Sequence, residues 1–271
     1  RYKTNNRIYN VIADKLESNG NRKEDFRFYS LAELQLSKRF LINKENICGP
    51  TFGAKNNLII VFCSVEKPDN RKAIRLTWGG YLKKESFKLI ILTANRHNVT
   101  INNQLIKEDN ITNDIIQSSF DEDYYNETLK AISMIFLLQR DCKHVNYVLK
   151  TDEDMIVNPR SLLKVMKQYL RENKIILGLR FNRAKVVRNI NSKWFVPKFI
   201  YPQKYFPNYI SGAIYVLSGD CIAPMFNNLF KVRVYYIDDV YITGMIGEII
   251  NARLQHQRLR YHCCALLERI H

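Results

Sequence analysis

Three short apolar runs separated by stretches of helical character constrain this chain most. LIIVFC, opening at Leu58, KLIILT from Lys88 to Thr93, and Val145 to Leu149 each have the length of a buried strand. Helical segments lie between and after them. VEKPDNRKAIRLTWGG turns at Pro68 and Asp69 into a helix carrying Arg71, Lys72, Arg75 and Trp78. ETLKAISMIFLLQR places Leu129, Ile132, Phe136 and Gln139 on one helical face. Beyond Asn158, a suitable cap, and Pro159, apolar residues recur at Leu162, Val165, Met166, Tyr169 and Leu170. Strand and helix alternating in this way imply βαβ units, a largely parallel sheet and an α/β fold. IILGL, from Ile175, adds a strand, and SGAIYVLSG reads as another opening at Gly212.

The third run ends in consecutive carboxylates, Asp152, Glu153 and Asp154. A strand end of this kind faces the crevice in which open α/β sheets bind ligands. Adjacent carboxylates repel, and burying them is costly unless a cation or hydrogen-bond donors compensate. A hard dication, Mg²⁺ or Mn²⁺, would compensate and could bridge the oxygens of a diphosphate. A solvated acidic turn at a helix N-terminus fits the same letters. Asp238 and Asp239 form a second acidic site at the start of an apolar helical segment. They read either as N-terminal helix carboxylates or as a general base accepting a hydroxyl proton. The basic helix at Arg71 and Arg75 is placed to receive a phosphate, while Ile74 and Trp78 pack inward.

The length of 271 residues suits one large domain, read as a stem and lead-in segment over 1–54 and a catalytic domain over 55–271. A helix is expected around Leu31 to Phe40. The excess of 42 Lys+Arg over 26 Asp+Glu, +16 formally, favours anionic partners. The basic residues form neither an RNA-binding signature nor a zinc-finger spacing, so no nucleic-acid partner is expected. No run approaches the roughly 18 apolar residues of a membrane span. Six cysteines without C-x-x-C, with sequons at Asn98, Asn110 and Asn126, point to a secretory compartment where some cysteines pair. Between Val186 and Asp220 the chain is rich in aromatics; Trp194, Phe195, Tyr201, Tyr205, Phe206 and Tyr209 are candidates for stacking on sugar rings or for ordinary packing.

Six segments in order, RKAIRLTWG, FDEDYYNETLKA, YVLKTDEDMIVN, KWFVP, FPNYISGAIYVLS and DDVYITG, resemble one family. It is that of the Golgi β-1,3-galactosyltransferases and β-1,3-N-acetylglucosaminyltransferases, related to Fringe, and the likeness spans roughly residues 45 to 250. The resemblance implies a GT-A fold, with a Rossmann-like nucleotide-sugar domain and a mostly parallel mixed sheet flanked by helices. It implies Mn²⁺, a UDP-sugar donor, a glycan acceptor on glycoprotein or glycolipid, and inversion to a β-1,3 linkage. It also implies the Golgi lumen and a type II anchor upstream of this sequence.

By that resemblance Asp154 is the principal Mn²⁺ ligand. Asp152, Glu153, Arg71 and Arg75 contact the donor, and Asp239 is the base. Trp194, Tyr209, Gly212 and Asp238 lie on the acceptor side. Two letters depart from the family pattern: Glu153 stands where Asp is common, and Asp238 where Glu is usual. The family continues past a metal-binding histidine on a late strand, whereas this sequence ends LLERIH, which makes His271 the candidate ligand and His262 a poorer one. The expected donor is UDP-galactose. UDP-GlcNAc, UDP-GalNAc and a catalytically silent glycan- or heparin-binding protein are the alternatives.

Overall fold

The computed structural model describes residues 34–263 apart from 36, 46, 50–55, 86, 170–171, 190–191, 193 and 260. In chain order the elements are β1 (Phe40–Ile42), β2 (Asn57–Phe62), α1 (Pro68–Leu76), α2 (Trp78–Lys84), β3 (Phe87–Asn95), α3 (Val99–Thr112) and β4 (Ile115–Asp121). Then follow α4 (Glu127–Asp141), β5 (Tyr147–Asp152), β6 (Met155–Val157), α5 (Pro159–Gln168), β7 (Ile175–Phe181) and β8 (Tyr209–Ser218). The chain continues with α6 (Ile222–Asn228), a π-helix (Val240–Ile246), α7 (Gly247–Ile249), β9 (Arg253–His256) and β10 (Tyr261–Cys263).

One eight-stranded sheet runs β1-β4-β3-β2-β5-β8-β7-β9, and β10 pairs with β6 in a separate two-stranded ribbon. β4, β3, β2 and β5 are mutually parallel, β8 is antiparallel to both β5 and β7, and β9 is parallel to β7. The fold is thus α/β with a mixed, mostly parallel sheet, as expected. Side chains of β2 divide by the strand's period of two. Leu58, Ile60 and Phe62 enter one apolar cluster with Ile132, Ile135, Met225 and Ile242; Ile59, Val61 and Cys63 enter another with Ile74, Trp78, Leu82, Leu162 and Met166. Both faces of the sheet are therefore covered, which is why the parallel strands read as continuous apolar runs. α5 begins as its sequence dictates: the Asn158 side chain accepts the Ser161 N–H, with Pro159 in the first turn.

Residues 34–54, assigned to the stem, join this domain where they are described. β1 pairs with β4, Ser133 donates its hydroxyl to the Ser37 carbonyl, and Cys48 is disulfide-bonded to Cys142 at the end of α4. Of the helix expected around Leu31–Phe40, residues 31–33 and 36 lie outside the described residues, residues 34–35 are helical, and Phe40 itself opens β1. β4 gives no apolar alternation because Gln117 and Ser118 are buried within it. The Gln117 amide donates to the Ala94 carbonyl and to Asn102, so a polar side chain is accommodated in the core.

Candidate active site

β2 and β5 end level with one another, Phe62 paired with Asp152, so the loop after β2 and the turn after β5 meet beyond the sheet's C-terminal edge. Three carboxylates leave β5 in different directions of use. Asp152 accepts from the Lys150 ammonium at 2.6 Å. Glu153 accepts from the Cys63 thiol and the Ser64 N–H, at 2.7 and 2.8 Å, and so ties the turn to the β2–α1 loop. Asp154 is exposed. Asp152 keeps 38% of its side-chain surface, yet atoms crowd it enough that desolvation pushes its carboxyl up to about 6, against the pull of Lys150.

The second pair arrives from the far side of β8. Asp239 caps the π-helix, accepting the Val240 N–H at 2.8 Å and the Gly212 N–H at 3.1 Å. Burial, and then the neighbouring Asp238, push its carboxyl up to about 7, while the two N–H donors and Lys150 hold it down. Gly212 is small because the aspartates occupy its space: a Cβ there would lie 3.3 Å from Asp238 Oδ2 and from Asp239 Cβ. Asp238 reaches back toward Lys150, 3.8 Å away. Two acidic sites far apart in sequence thus share one ammonium.

Arg71 and Arg75 stand elsewhere in this chemistry. Arg71, 2% exposed, donates to Glu108 through Nε and Nη2 and to the Ser64 and Val65 carbonyls through Nη1. Arg75 donates to Asp114 and Glu108. Their guanidinium groups hold the β2–α1 loop against α3.

Tyr209, expected on the acceptor side, opens β8 and stacks on Phe181, ring centroids 5.1 Å apart. Burial and the nearby Asp239 push its phenol up to about 12. Trp194 lies 54% exposed on the excursion between β7 and β8. Two cavities, about 680 Å³ beside Trp78, Tyr81 and Ile156 and about 660 Å³ beside Tyr201, Tyr205 and Met245, are lined by none of the site aspartates.

Several neighbours escape sequence reasoning. Lys150 and Lys130, each 2% exposed, approach the Phe62 ring at 4.3 and 6.0 Å. Lys130 is held by Glu122 and Glu127, and burial pushes the Glu127 carboxyl up to about 7. The available signal is a lysine inside an otherwise apolar run, since lysines are almost never fully buried unless paired.

For a metal the donor kind is right: Asp152 and Asp154 offer hard carboxylate oxygens at D-x-D spacing. Among the described residues no group of three His, Cys, Asp or Glu side chains forms a complete cluster. β10 pairs His262 with Ile156, two residues past Asp154, which brings the chain's late segment beside the acidic turn; His271 lies outside the described residues. The sequons differ as well. Asn98 and Asn110 are exposed, but Asn126 is only 4% exposed and its side chain donates to the Asp121 carbonyl, a correction to its reading as a glycan site.

A galactosyltransferase family model matches residues 69–258. Beta-1,3-galactosyltransferase 1 of Mus musculus is 28% identical over 238 residues, 84% of this chain and 72% of that protein. Beta-1,3-galactosyltransferase 5 of Homo sapiens is 32% identical over 200 residues, 73% of this chain and 64% of that protein. Among solved structures, apo mouse xyloside xylosyltransferase 1 superposes with a TM-score of 0.36 at 13% identity, over 74% of this chain and 84% of that one.

Proposed function

The chain belongs to the galactosyltransferase family, and we propose that it transfers galactose from UDP-galactose to the 3-hydroxyl of an acceptor sugar, forming a β-1,3 linkage through a GT-A type site. The observation that carries this is the convergence of two acidic sites. Within the family-matched span, the D-E-D turn at the end of β5 and the doubly hydrogen-bonded Asp239 meet around Lys150. The named relatives are β-1,3-galactosyltransferases, which favours galactose over GlcNAc or GalNAc and catalysis over silent glycan binding.

Asp239 is the base of this mechanism. Its carboxylate takes the proton of the acceptor hydroxyl as that oxygen forms a bond to the anomeric carbon. The bond from that carbon to the diphosphate oxygen breaks on the opposite face, its electron pair leaving with UDP, so a single displacement inverts the centre. The two N–H donors from Gly212 and Val240 keep a buried carboxylate ionisable. Asp154, with Asp152 beside it, would hold Mn²⁺; when bound, the ion supplies positive charge for the departing diphosphate. Glu153 fixes the turn on which these ligands sit. Tyr209, stacked on Phe181, and Trp194 supply apolar faces for the acceptor, with Gly212 and Asp238 alongside.

The reading extends to the Golgi lumen, the disulfide and exposed sequons suiting a secretory compartment. No helix among the described residues is long and apolar enough to cross a membrane; the membrane partner of this reading is an anchor upstream of the sequence. Calorimetry with UDP-galactose, with and without Mn²⁺, is the test. Mn²⁺-dependent binding that Asp154→Asn abolishes is the expected result. A folded protein that binds UDP-galactose in neither condition overturns the reading.

A further inference from the structure

Lys150 sits in mid-strand, paired with Ile60 of β2 on one side and Tyr215 of β8 on the other, and its side chain is 2% exposed. A buried ammonium is costly unless its N–H groups are partnered. Here they are: Nζ donates to Asp152 Oδ1 at 2.6 Å and to the Gly212 carbonyl at 2.7 Å, and lies 3.8 Å from Asp238 Oδ2 and 4.3 Å from the Phe62 ring centroid. Gly212 in turn donates its N–H to Asp239 Oδ2. A continuous chain therefore runs from Asp152 through Lys150 and the Gly212 backbone to Asp239. It links β5, β8 and the start of the π-helix at the point where both acidic sites converge.

We propose that Lys150 is a positioning residue for the transfer, setting the separation between the donor-side carboxylate Asp152 and the base Asp239 through the backbone of Gly212. The inference rests on the glycosyltransferase reading above. Asp152, Asp238 and Asp239 are like charges gathered in one place, and they stay together because one ammonium stands between them. Without it, Asp152 and Asp238 repel without a counter-ion, and the Gly212 carbonyl loses its donor. The Gly212 segment of β8 that cradles Asp239 then loses one of its ties. Lys150 touches no reacting atom; it acts by fixing where the two reacting groups meet.

The test uses UDP-galactose, Mn²⁺ and an added acceptor sugar with wild type, Lys150→Met, Lys150→Arg and Gly212→Ala, reading donor affinity by calorimetry and kcat by UDP release. Displacement of a reacting group by about 1 Å costs on the order of 10²-fold. Lys150→Met is therefore expected to lose about that much in kcat, well beyond any loss of donor affinity through Asp152, and Lys150→Arg to recover part of the loss. Such a split between kcat and binding separates positioning from a general loss of structure. If Lys150→Met does not fold, Gly212→Ala decides. Its methyl would meet Asp238 and Asp239 at 3.3 Å and press on them while leaving the ammonium in place, so kcat should fall with donor affinity retained. A folded Lys150→Met turning over at the wild-type rate overturns the inference alone, as does Gly212→Ala at full rate. A wild type that neither binds nor turns over UDP-galactose overturns the proposed function, and this inference with it.

Discussion

The molecule holds two clusters of buried charge that look alike in sequence and differ in balance. In the first, Arg71 and Arg75 face Glu108 and Asp114, two cations against two carboxylates, each guanidinium bonded through at least two of its nitrogens. In the second, Lys150 alone faces Asp152, Asp238 and Asp239. A balanced cluster, with each guanidinium paired to carboxylates, is complete as it stands, so it serves as scaffold. An excess of carboxylate around one ammonium is unstable in isolation and is suited to receive a cation and a proton. Balance, more than the presence of charge, separates the frame from the site.

The largest expected effect comes from the unbalanced cluster. Asp239→Asn keeps the side chain's shape but removes the proposed base, and turnover should fall by about 10²–10⁴-fold. UDP release with an added acceptor sugar checks it; an unimpaired Asp239→Asn enzyme would break the comparison at its functional end. The balanced cluster should answer differently. Arg71→Met leaves Glu108 facing Arg75 alone and strips donors from the Ser64 and Val65 carbonyls. Breaking a buried pair from one side costs about 3–5 kcal/mol, so the urea midpoint should fall. Donor affinity of the folded fraction should hold. A stable Arg71→Met protein that has lost UDP-galactose binding would return Arg71 to the donor site.

pH sharpens the same contrast at smaller amplitude. Burial and Asp238 raise the Asp239 carboxyl to about 7, so the base is protonated and inactive below that value. The rate should fall about tenfold per pH unit on the acid side, the slope of a single required ionisation. Stability moves the opposite way. The folded state holds this proton more tightly than the unfolded chain, so its contribution is fully present below the ordinary carboxylate range and is lost as pH rises toward 7. Asp239→Asn abolishes that dependence. A rate profile flat from pH 5 to 8 would remove Asp239 from the role of base.

How far these clusters could be read in advance follows from what each leaves in the letters. β2, β3, β5, α4 and α5 were legible because both faces of the central strands are covered and the helices carry one apolar face. β4 was not, because buried Gln117 and Ser118 interrupt its pattern. Asp152, Asp154 and Asp239 stood out as acids at element ends. Lys150 did not, since a lysine carries its meaning only once Gly212 and Asp238, more than sixty residues away, are known to surround it. The same blindness made Arg71 and Arg75 look like ligands: sequence gives their charge but not Glu108 and Asp114, which neutralise it.

The smallest expected effect concerns a residue whose letters and burial disagree. Asn126 begins a sequon, yet it is 4% exposed at the entrance to α4, its amide nitrogen donating to the Asp121 carbonyl. Asn98 is a sequon of another kind. Its carbonyl oxygen accepts the Ile101 N–H as the cap of α3, which leaves the amide nitrogen outside that bond, and Asn110 lies exposed on the same helix. A glycan attaches through the nitrogen, so capping and glycosylation are compatible at Asn98, whereas at Asn126 the packed helix start occupies the space a sugar would need. Expressed through a secretory pathway, the protein should lose one glycan's mobility shift in Asn98→Gln and another in Asn110→Gln. Asn126→Gln should leave the shift unchanged. A third shift at Asn126 would mean that the segment from Asp121 to Glu127 opens to admit a sugar, placing a mobile element beside Glu127 and Lys130 at the edge of the unbalanced cluster.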